Sequence, residues 1–164
     1  MLVFVAGGLS PIKIRLAREA DLEGVGLVED GSFSEPYPRV LIAGLLRDCP
    51  NGFLVAESPQ GTVVGYCVAA EGGKWAHLIS IGVLREYRRR GIGTALIRRL
   101  LANLSSRVKE VRLEVNEGNT EAMMLYEKLG FKQVGSIQNY YKDGSAAAQM
   151  LLTFDGAHSG PSRG

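Results

Sequence analysis

The spacing of apolar positions in the first half of the chain predicts a strand, two helices and a hairpin. "IKIRLA" alternates as a half-buried strand does, and Leu22, Val25 and Val28 then follow at helical spacing. A second helix, "RVLIAGLLRDC", ends at the turn "PNG". The strands "GFLVAES" and "TVVGYCVAA" flank the turn "SPQG", which is typical of a hairpin.

The rest of the chain alternates between strands and helices. "KWAHLISIGVL" predicts a strand, "GIGTALIRRLLANL" an amphipathic helix, and "EVRLEVN" a strand with Glu114 on its more polar side. "NTEAMMLYEKLG" is the clearest helix, because Asn119 can cap its start and Gly130 its end. The last strands, "FKQVGSI" and "AAAQMLLTF", are joined by the loop "QNYYKDGS". This order predicts one domain that mixes α-helices and β-strands.

The composition fits one folded domain and weighs against nucleic acid as a partner. The chain has 164 residues, 46% of them hydrophobic, and a formal net charge of +2, so it can bury a real core. A nucleic-acid-binding protein is usually more basic or gathers its charge on one face. Basic residues cluster only locally here, with six arginines between positions 85 and 99. We therefore expect no specific nucleic-acid partner.

From the cysteines and the chain ends we expect a cytoplasmic protein. Cys49 and Cys67 lack metal-ligand spacing, so we expect buried thiols in a reducing compartment. Residues 1–11 are apolar without a charged leader, and they predict an N-terminal extension or an extra strand. Residues 12–154 form the predicted domain, and residues 155–164 a flexible tail. No apolar run approaches the roughly 20 residues that span a membrane.

The stretch "REYRRRGIGTAL" combines basic residues, two glycines and the start of a helix. The N–H groups at a helix start favour an anion, and Gly91 and Gly93 let the backbone approach one closely. A P-loop needs a lysine after its second glycine, where Thr94 stands. A dinucleotide fingerprint needs glycine or alanine at the position of Leu96. These residues alone leave two interpretations open, a phosphate cradle and a solvated basic turn.

The spacing Arg88-x-x-Gly91-x-Gly93 resembles the coenzyme A-binding motif of the GNAT acetyltransferases. "ISIGVLREYRRRGIGTALI" is similar to the family's fourth strand, turn and following helix, and "LEVNEGNTEAMMLYEKLGF" to its fifth strand and next helix. "NYYKDGSAAAQML" looks like the last hairpin of N-terminal protein acetyltransferases of the RimI and Ard1 type. The resemblance covers about residues 12–154. It implies a single GNAT domain with a mixed sheet of about six to seven strands, a splay between the fourth and fifth, and about four flanking helices.

The resemblance implies acetyl-CoA as the cosubstrate, and no metal. It places the pantetheine arm beside the fourth strand, at Ile81, Gly82 and Val83, where a bulge would free backbone groups for hydrogen bonds. Asn119 and Tyr126 match two further coenzyme contacts. The residues implied in holding the pyrophosphate are Arg88, Arg89, Arg90, Gly91, Ile92, Gly93 and Thr94.

Four residues are implied in the chemistry, and structural interpretations of them also stay open. Glu114 resembles the general base of RimI-type enzymes, acting directly or through water, although a glutamate in a strand can also pair with a cation such as Arg112. Tyr126 would protonate the departing thiolate, or it belongs to the core. His77 matches a histidine implicated in deprotonating the amine, although a lone histidine on an apolar strand is more often structural. Glu35 matches a glutamate that borders the first residue of the peptide.

Two loops are implied in binding the peptide. The residues concerned are Phe33, Glu35 and Tyr37 in "FSEPYP" and Tyr140 and Tyr141 in "NYYKDGS". The tyrosine pair would clamp the peptide backbone. Two departures from the family pattern put some loop contacts in doubt. Asn116 stands where the family usually has arginine, and the loop reads "GSAA" where the family often has "GEDA".

The expected reaction is direct transfer of acetyl from acetyl-CoA to the N-terminal α-amino group of a protein or peptide. An α-amino group has a pKa of about 7.7–8.0 and is partly neutral at pH 7, whereas lysine, near 10.4, is almost wholly charged. Modest bases such as Glu114 and His77 therefore suit a protein N-terminus. No cysteine or serine stands in a nucleophile setting, so we expect no acyl-enzyme.

Two alternatives for the function stay open. One is a GNAT enzyme that acetylates lysine side chains or a small amine, and the other is a non-catalytic coenzyme A-binding subunit. The expected partners are protein or peptide N-termini as substrates, with a ribosome or an auxiliary subunit beside them and no membrane. The chain is expected to be a monomer or a weak dimer.

Overall fold

A computed structural model describes residues 2–3 and 11–154, and this part contains eight β-strands and four α-helices. The strands are β1 (Leu2–Val3), β2 (Ile12–Leu16), β3 (Phe53–Glu57), β4 (Val63–Glu71), β5 (Trp75–Val83), β6 (Glu110–Asn116), β7 (Lys132–Ile137) and β8 (Ala147–Thr153). The helices are α1 (Leu22–Ser32), α2 (Arg39–Asp48), α3 (Ile92–Asn103) and α4 (Thr120–Lys128). The predicted tail at residues 155–164 and most of the predicted extension at residues 1–11 lie outside the described residues. The short strand β1 pairs antiparallel with β2.

The chain divides into two compact units, and the first comprises Met1–Ala70 and Leu78–Leu104. Its strands lie in the order β1-β2-β3-β4-β5, and β1 to β4 pair antiparallel. Val25 and Val28 of α1 and Phe53 of β3 are completely buried in one cluster. Burying an aliphatic side chain of this size contributes about 1.5–3 kcal/mol. This packing explains why α1 forms although its sequence contains three glycines, which are poor helix formers.

The second unit comprises Glu71–His77 and Ser105–Gly164. Its strand order is β5-β6-β8-β7. The first residues of β5 pair with β6 in parallel, in a register that covers three residue pairs, while β6 with β8 and β8 with β7 pair antiparallel. Val111, Leu113 and Val115 of β6 are buried. The alternation seen in "EVRLEVN" therefore does separate a buried from a more exposed side of this strand.

The predicted fold class is confirmed. The long elements follow the predicted order along the chain, and the parallel pair of β5 and β6 occurs among antiparallel pairs, as a mixed sheet requires. The splay expected between the family's fourth and fifth strands, which correspond to β5 and β6, stays a prediction. The predicted ends of α4 also hold, because the side chain of Asn119 accepts a hydrogen bond from the Ala122 N–H at 3.1 Å and Gly130 follows with a φ of 94°.

Candidate active site

The glycine turn between β5 and α3 lies in the first unit. Gly91 is the N-cap of α3 and has a φ of 77°, which glycine adopts without strain. The N–H of Ala95 bonds to the carbonyl of Gly91 at 3.0 Å. The N–H groups of Ile92, Gly93 and Thr94 therefore precede the first bonded turn and point out of the helix start. A Cβ at position 91 would meet no described atom within 4 Å, so the space in front of the turn is open.

Local contacts orient the arginines beside this turn. Arg88 Nε donates to the carbonyl of Val83 at 2.9 Å, and the Arg90 guanidinium lies 5.3 Å from the ring centroid of Tyr87, a cation–π contact. The first turn of α3 contains no acidic residue. Positive side chains and a helix N-terminus together favour a negatively charged group. The turn therefore has the chemistry of the pyrophosphate site that the sequence predicted.

The strand segment before the turn packs very closely on α1. A Cβ at Gly82 would lie 3.1 Å from Val28 Cγ1, 3.2 Å from Ser32 Oγ and 3.2 Å from Tyr66 Cε1. These distances are tighter than most Cβ contacts, so a side chain at this position would require its neighbours to shift by a few tenths of an ångström. Ser32 Oγ is buried and has no hydrogen-bond partner within the described part of the chain. The contact holds the predicted pantetheine segment against α1, whereas the bulge expected in that segment stays a prediction.

The loop at residues 33–38, here called the proline loop, connects α1 to α2. The side chain of Phe33 is partly exposed, and Glu35 lies at the surface. Tyr37 is half-buried, and its backbone N–H donates to Glu29 Oε2 at 2.8 Å. Three of the predicted peptide-binding residues thus share one short loop of the first unit, and the backbone of this loop is bonded to α1.

His77 and Glu114 form a close pair in the second unit. His77 Nε2 lies 2.6 Å from Glu114 Oε2, and the two side chains are 38% and 21% exposed. The neighbouring Ala76 is completely buried, so His77 lies on the accessible side of β5 and not in the core. Arg112 pairs with Glu110. The mid-strand carboxylate therefore has the imidazole of His77, and not Arg112, as its hydrogen-bond partner.

The tyrosine loop, residues 138–146, connects β7 to β8 near this pair. The rings of Tyr140 and Tyr141 pack edge to face with centroids 5.0 Å apart. Partial burial and the negative charge of Glu114 both raise the pKa of the Tyr140 hydroxyl. This dependence on Glu114 links the predicted peptide clamp electrostatically to the predicted base.

A hydrogen-bonded brace, Asn116–Ser145–Asp143, holds the tyrosine loop. Asn116 Nδ2 donates to Ser145 Oγ at 2.7 Å, and Ser145 Oγ donates to Asp143 Oδ1 at 2.6 Å. The Ser145 carbonyl accepts the N–H groups of Tyr140 and Tyr141 at 3.1 and 3.2 Å. The sequence left the loop contacts in doubt where "GSAA" departs from the family, and the asparagine and serine supply contacts of their own. Sequence reasoning missed the roles of Ser145 and Asp143.

Tyr126 lies on α4 in the second unit. It is 5% exposed, and its ring packs edge to face against Phe131 with centroids 5.8 Å apart. This burial agrees with the structural interpretation of Tyr126. Its role as an acid toward the thiolate stays a prediction, as does the coenzyme contact of Asn119.

Other chemistry finds little support in residues 2–3 and 11–154. This part of the chain contains no group of three histidine, cysteine or acidic residues that could hold a metal ion. Cys49 and Cys67 are buried free thiols, and burial raises the pKa of both, which disfavours the reactive thiolate. None of the helices described is long and apolar enough to cross a membrane.

Two cavities in the first unit lie away from the predicted site residues. One of ≈ 280 Å³ is lined by Leu16, Asn51, Leu54, Arg99 and Asn103. The other, of ≈ 410 Å³, is lined by Glu19, Leu22, Ala43, Leu46, Arg47 and Pro50. We place the chemistry at the convergent polar groups described above, because neither cavity contains a residue with a suitable role.

Each unit thus has its own chemical capacity. In the first unit, the glycine turn can bind an anion, and the proline loop presents an aromatic ring and a carboxylate at the surface. In the second unit, an imidazole and a carboxylate share a hydrogen bond near two tyrosines. Such a pair can take up the proton of a nucleophile that approaches it.

The model of the acetyltransferase (GNAT) family matches residues 19–131 of the chain. An N-alpha-acetyltransferase of Sulfurisphaera tokodaii is 37% identical over 152 residues, covering 84% of this chain and 90% of the relative. The N-alpha-acetyltransferase RimI of Mycobacterium tuberculosis is 33% identical, covering 86% of this chain and 91% of its own. The crystal structure of Ard1 from Thermoplasma volcanium has a TM-score of 0.82 at 33% identity, covering 87% of this chain and 97% of that one. The resemblance that the sequence indicated is therefore confirmed.

Proposed function

The chain is a member of the GNAT family and an acetyltransferase, and we propose that it transfers acetyl from acetyl-CoA directly to the N-terminal α-amino group of proteins or peptides. The observation that carries the proposal is the hydrogen-bonded pair of His77 and Glu114, near the tyrosine loop. The names of the relatives support the α-amino acceptor. Family membership sets aside the non-catalytic alternative.

The pair suits an acceptor that loses its proton easily. An α-amino group, with a pKa of about 7.7–8.0, needs only a modest base near neutral pH. Glu114 would accept this proton directly or through water, with His77 sharing it across the 2.6 Å contact. Glu35 on the proline loop is a further candidate for the base. The tyrosine loop would hold the peptide backbone, which a small amine lacks.

The residues of the first unit are assigned to the coenzyme. Acetyl-CoA supplies an activated acetyl group, and the N–H groups and arginines of the glycine turn would bind its pyrophosphate. The backbone of Ile81, Gly82 and Val83 would run beside the pantetheine arm, and one N–H there would polarise the thioester carbonyl. These assignments rest on the open glycine turn and the close packing of Gly82.

The transfer balances without an acyl-enzyme. The neutral amine nitrogen forms a bond to the thioester carbon, and the carbon–sulfur bond breaks. After the attack the nitrogen is positively charged and releases one N–H proton to the pair of Glu114 and His77, which has passed the earlier ammonium proton on to water, and the sulfur leaves as a thiolate. Tyr126 would protonate this thiolate, whose free pKa of about 8.5 makes it a modest leaving group.

Acetyl-CoA turnover on a panel of matched peptides tests the proposal. Each peptide is offered with its N-terminus free and with its N-terminus blocked, and half of the peptides contain an internal lysine. We expect turnover on free N-termini alone. Turnover on blocked, lysine-containing peptides, with none on free N-termini, would contradict the proposal in favour of lysine acetylation.

A cytoplasmic location and a link to protein synthesis belong to the same proposal. The two free, buried cysteines of the described residues fit a reducing compartment. The proposed substrates are the N-termini of proteins or peptides, and we propose a ribosome or an auxiliary subunit as a further partner.

A further inference from the structure

A buried carboxylate in the first unit has no part in the proposed chemistry. Glu29 lies near the end of α1 and is 1% exposed. It follows Val25 by four positions and Leu22 by seven, which places it on the same stripe of the helix as these apolar residues. Burial raises the pKa of this carboxyl, because its ionised form loses hydration. A charged group at such a position needs a compensating set of partners.

Both oxygens of Glu29 accept hydrogen bonds, and they do so from different parts of the unit. Oε1 accepts from the hydroxyl of Tyr66 on β4 and from that of Ser80 on β5, the latter at 3.3 Å. These two hydroxyl oxygens lie 2.6 Å apart. Oε2 accepts the backbone N–H of Tyr37 at 2.8 Å. One side chain of α1 therefore joins two strands to the proline loop.

An apolar residue would pack at this position with less desolvation, but it would leave the Tyr37 N–H and one of the two hydroxyls without this acceptor. Among these donors, the Tyr37 N–H matters most for the site. It lies in the loop that contains Glu35, so losing its acceptor would affect the position of that loop. On the strand side, Ser80 directly precedes the predicted pantetheine segment. That segment also contacts α1 through Gly82, whose backbone packs on Ser32. The carboxylate thus lies where the acceptor side and the coenzyme side of the unit meet.

We propose that Glu29 is a positioning residue, which fixes the proline loop against β5 through the Tyr37 N–H and the hydroxyls of Tyr66 and Ser80. It keeps Glu35 and Tyr37 in place for the incoming peptide and touches no reacting atom. The role in peptide binding rests on the proposed function, whereas the role in fixing the loop does not.

Three variants separate this role from a general effect on folding. Glu29→Met keeps the size but removes both acceptors. Glu29→Gln keeps the network in one orientation, with its oxygen accepting the Tyr37 N–H and its NH₂ group donating to the hydroxyl oxygens. Asp30→Asn is the matched control, because Asp30 is the next residue and makes an exposed ion pair with Arg39. A thermal unfolding measurement on each variant checks that the variant is folded at the assay temperature.

The first readout is hydrogen exchange of the Tyr37 amide by NMR, which requires no substrate. Pro36 and Pro38 have no N–H, so the Tyr37 signal has no amide neighbour on either side. We expect protection in the wild-type protein, in Glu29→Gln and in Asp30→Asn, and exchange at least about tenfold faster in Glu29→Met. An unprotected amide in the wild-type protein overturns the proposal even if Glu29→Met does not fold. Unchanged protection in Glu29→Met overturns it as well.

The second readout is steady-state kinetics with a peptide acceptor. We expect Glu29→Met to raise KM for the peptide about tenfold, with little change in kcat or in the Kd for acetyl-CoA, and Glu29→Gln to restore the wild-type KM. Loss of Tyr37 protection without any change in KM would overturn the role in peptide binding. If the wild-type protein acetylates no free N-terminus, the proposed function fails, and the exchange experiment still decides whether Glu29 fixes the loop.

Discussion

Glu29 in the first unit and Glu114 in the second are both carboxylates held by hydrogen bonds, yet their surroundings differ, and we propose different roles for them. Glu29 is almost fully buried, and it accepts from two hydroxyls and a backbone N–H. The side chain of Glu114 is 21% exposed and contacts His77. A proton acceptor must be accessible to the substrate and benefits from a partner that can share the proton. A residue that only positions a loop needs fixed geometry alone. Burial alone would select Glu29 as a candidate base, whereas the base that we propose is Glu114.

Removal of the proposed base should have the largest effect on activity. We expect Glu114→Gln to lower kcat by about 10²–10⁴, the usual contribution of a general base, with the Kd for acetyl-CoA unchanged. Glu110→Gln on the same strand is the control and should keep kcat near the wild-type value. An unchanged kcat across pH in Glu114→Gln would remove Glu114 from the mechanism.

Replacing the imidazole should have a smaller effect. We expect His77→Gln to lower kcat about tenfold, because Glu114 remains but loses the partner that shares its proton. The double variant with Glu114→Gln should be no slower than Glu114→Gln alone, since residues that act as a unit are not additive. Two independent losses that multiply in the double variant would show that the residues act separately.

Weakening the brace of the tyrosine loop should change peptide binding by a few-fold. Ser145→Ala removes the hydroxyl that joins Asn116 to Asp143, while the backbone N–H of residue 145 still donates to Asp143 Oδ1, and single hydrogen bonds make modest net contributions. We expect KM for the peptide to rise about fivefold, with kcat nearly unchanged. Ser106→Ala, at an exposed position outside the tyrosine loop, serves as the control. A fall in kcat with a constant KM would mean that the brace serves the chemistry and not the clamp.

The smallest expected effect is the pH dependence that Glu29 gives to the free energy of unfolding. Burial raises the pKa of Glu29, so below its unfolded pKa of about 4.3 both the folded and the unfolded chain hold the proton. As the pH rises, the unfolded chain loses this proton first, and the free energy of unfolding falls until the higher folded pKa is passed. Glu29→Gln should lack this fall. Urea unfolding of both proteins from pH 4 upward measures it, and a wild-type-minus-variant difference that rises with pH would contradict the account.

The fold was predictable because its signals are local. The alternation in β6 and the capping of α4 by Asn119 depend on neighbours a few residues apart, and both agree with the structure. The family motif also spans a short, continuous stretch around Gly91. Such patterns need no knowledge of which elements lie side by side.

The contacts of the site were less predictable because they join distant positions. Glu29 meets Tyr66 and Ser80, which follow it by 37 and 51 residues, and Asn116 meets Ser145 after 29. Their meeting depends on strand order and register. One signal was present for Glu29, since a glutamate on the apolar stripe of a helix marks a buried polar group. The roles of the other site residues stay predictions.

The central claim is that the acceptor is an α-amino group, and one peptide can decide it. The peptide carries a free N-terminus and an internal lysine, and tandem mass spectrometry locates the acetyl group during the initial, linear phase with acetyl-CoA. We predict acetylation of the α-nitrogen with the lysine Nζ unmodified. Acetylation of the lysine with the N-terminus left free would contradict it.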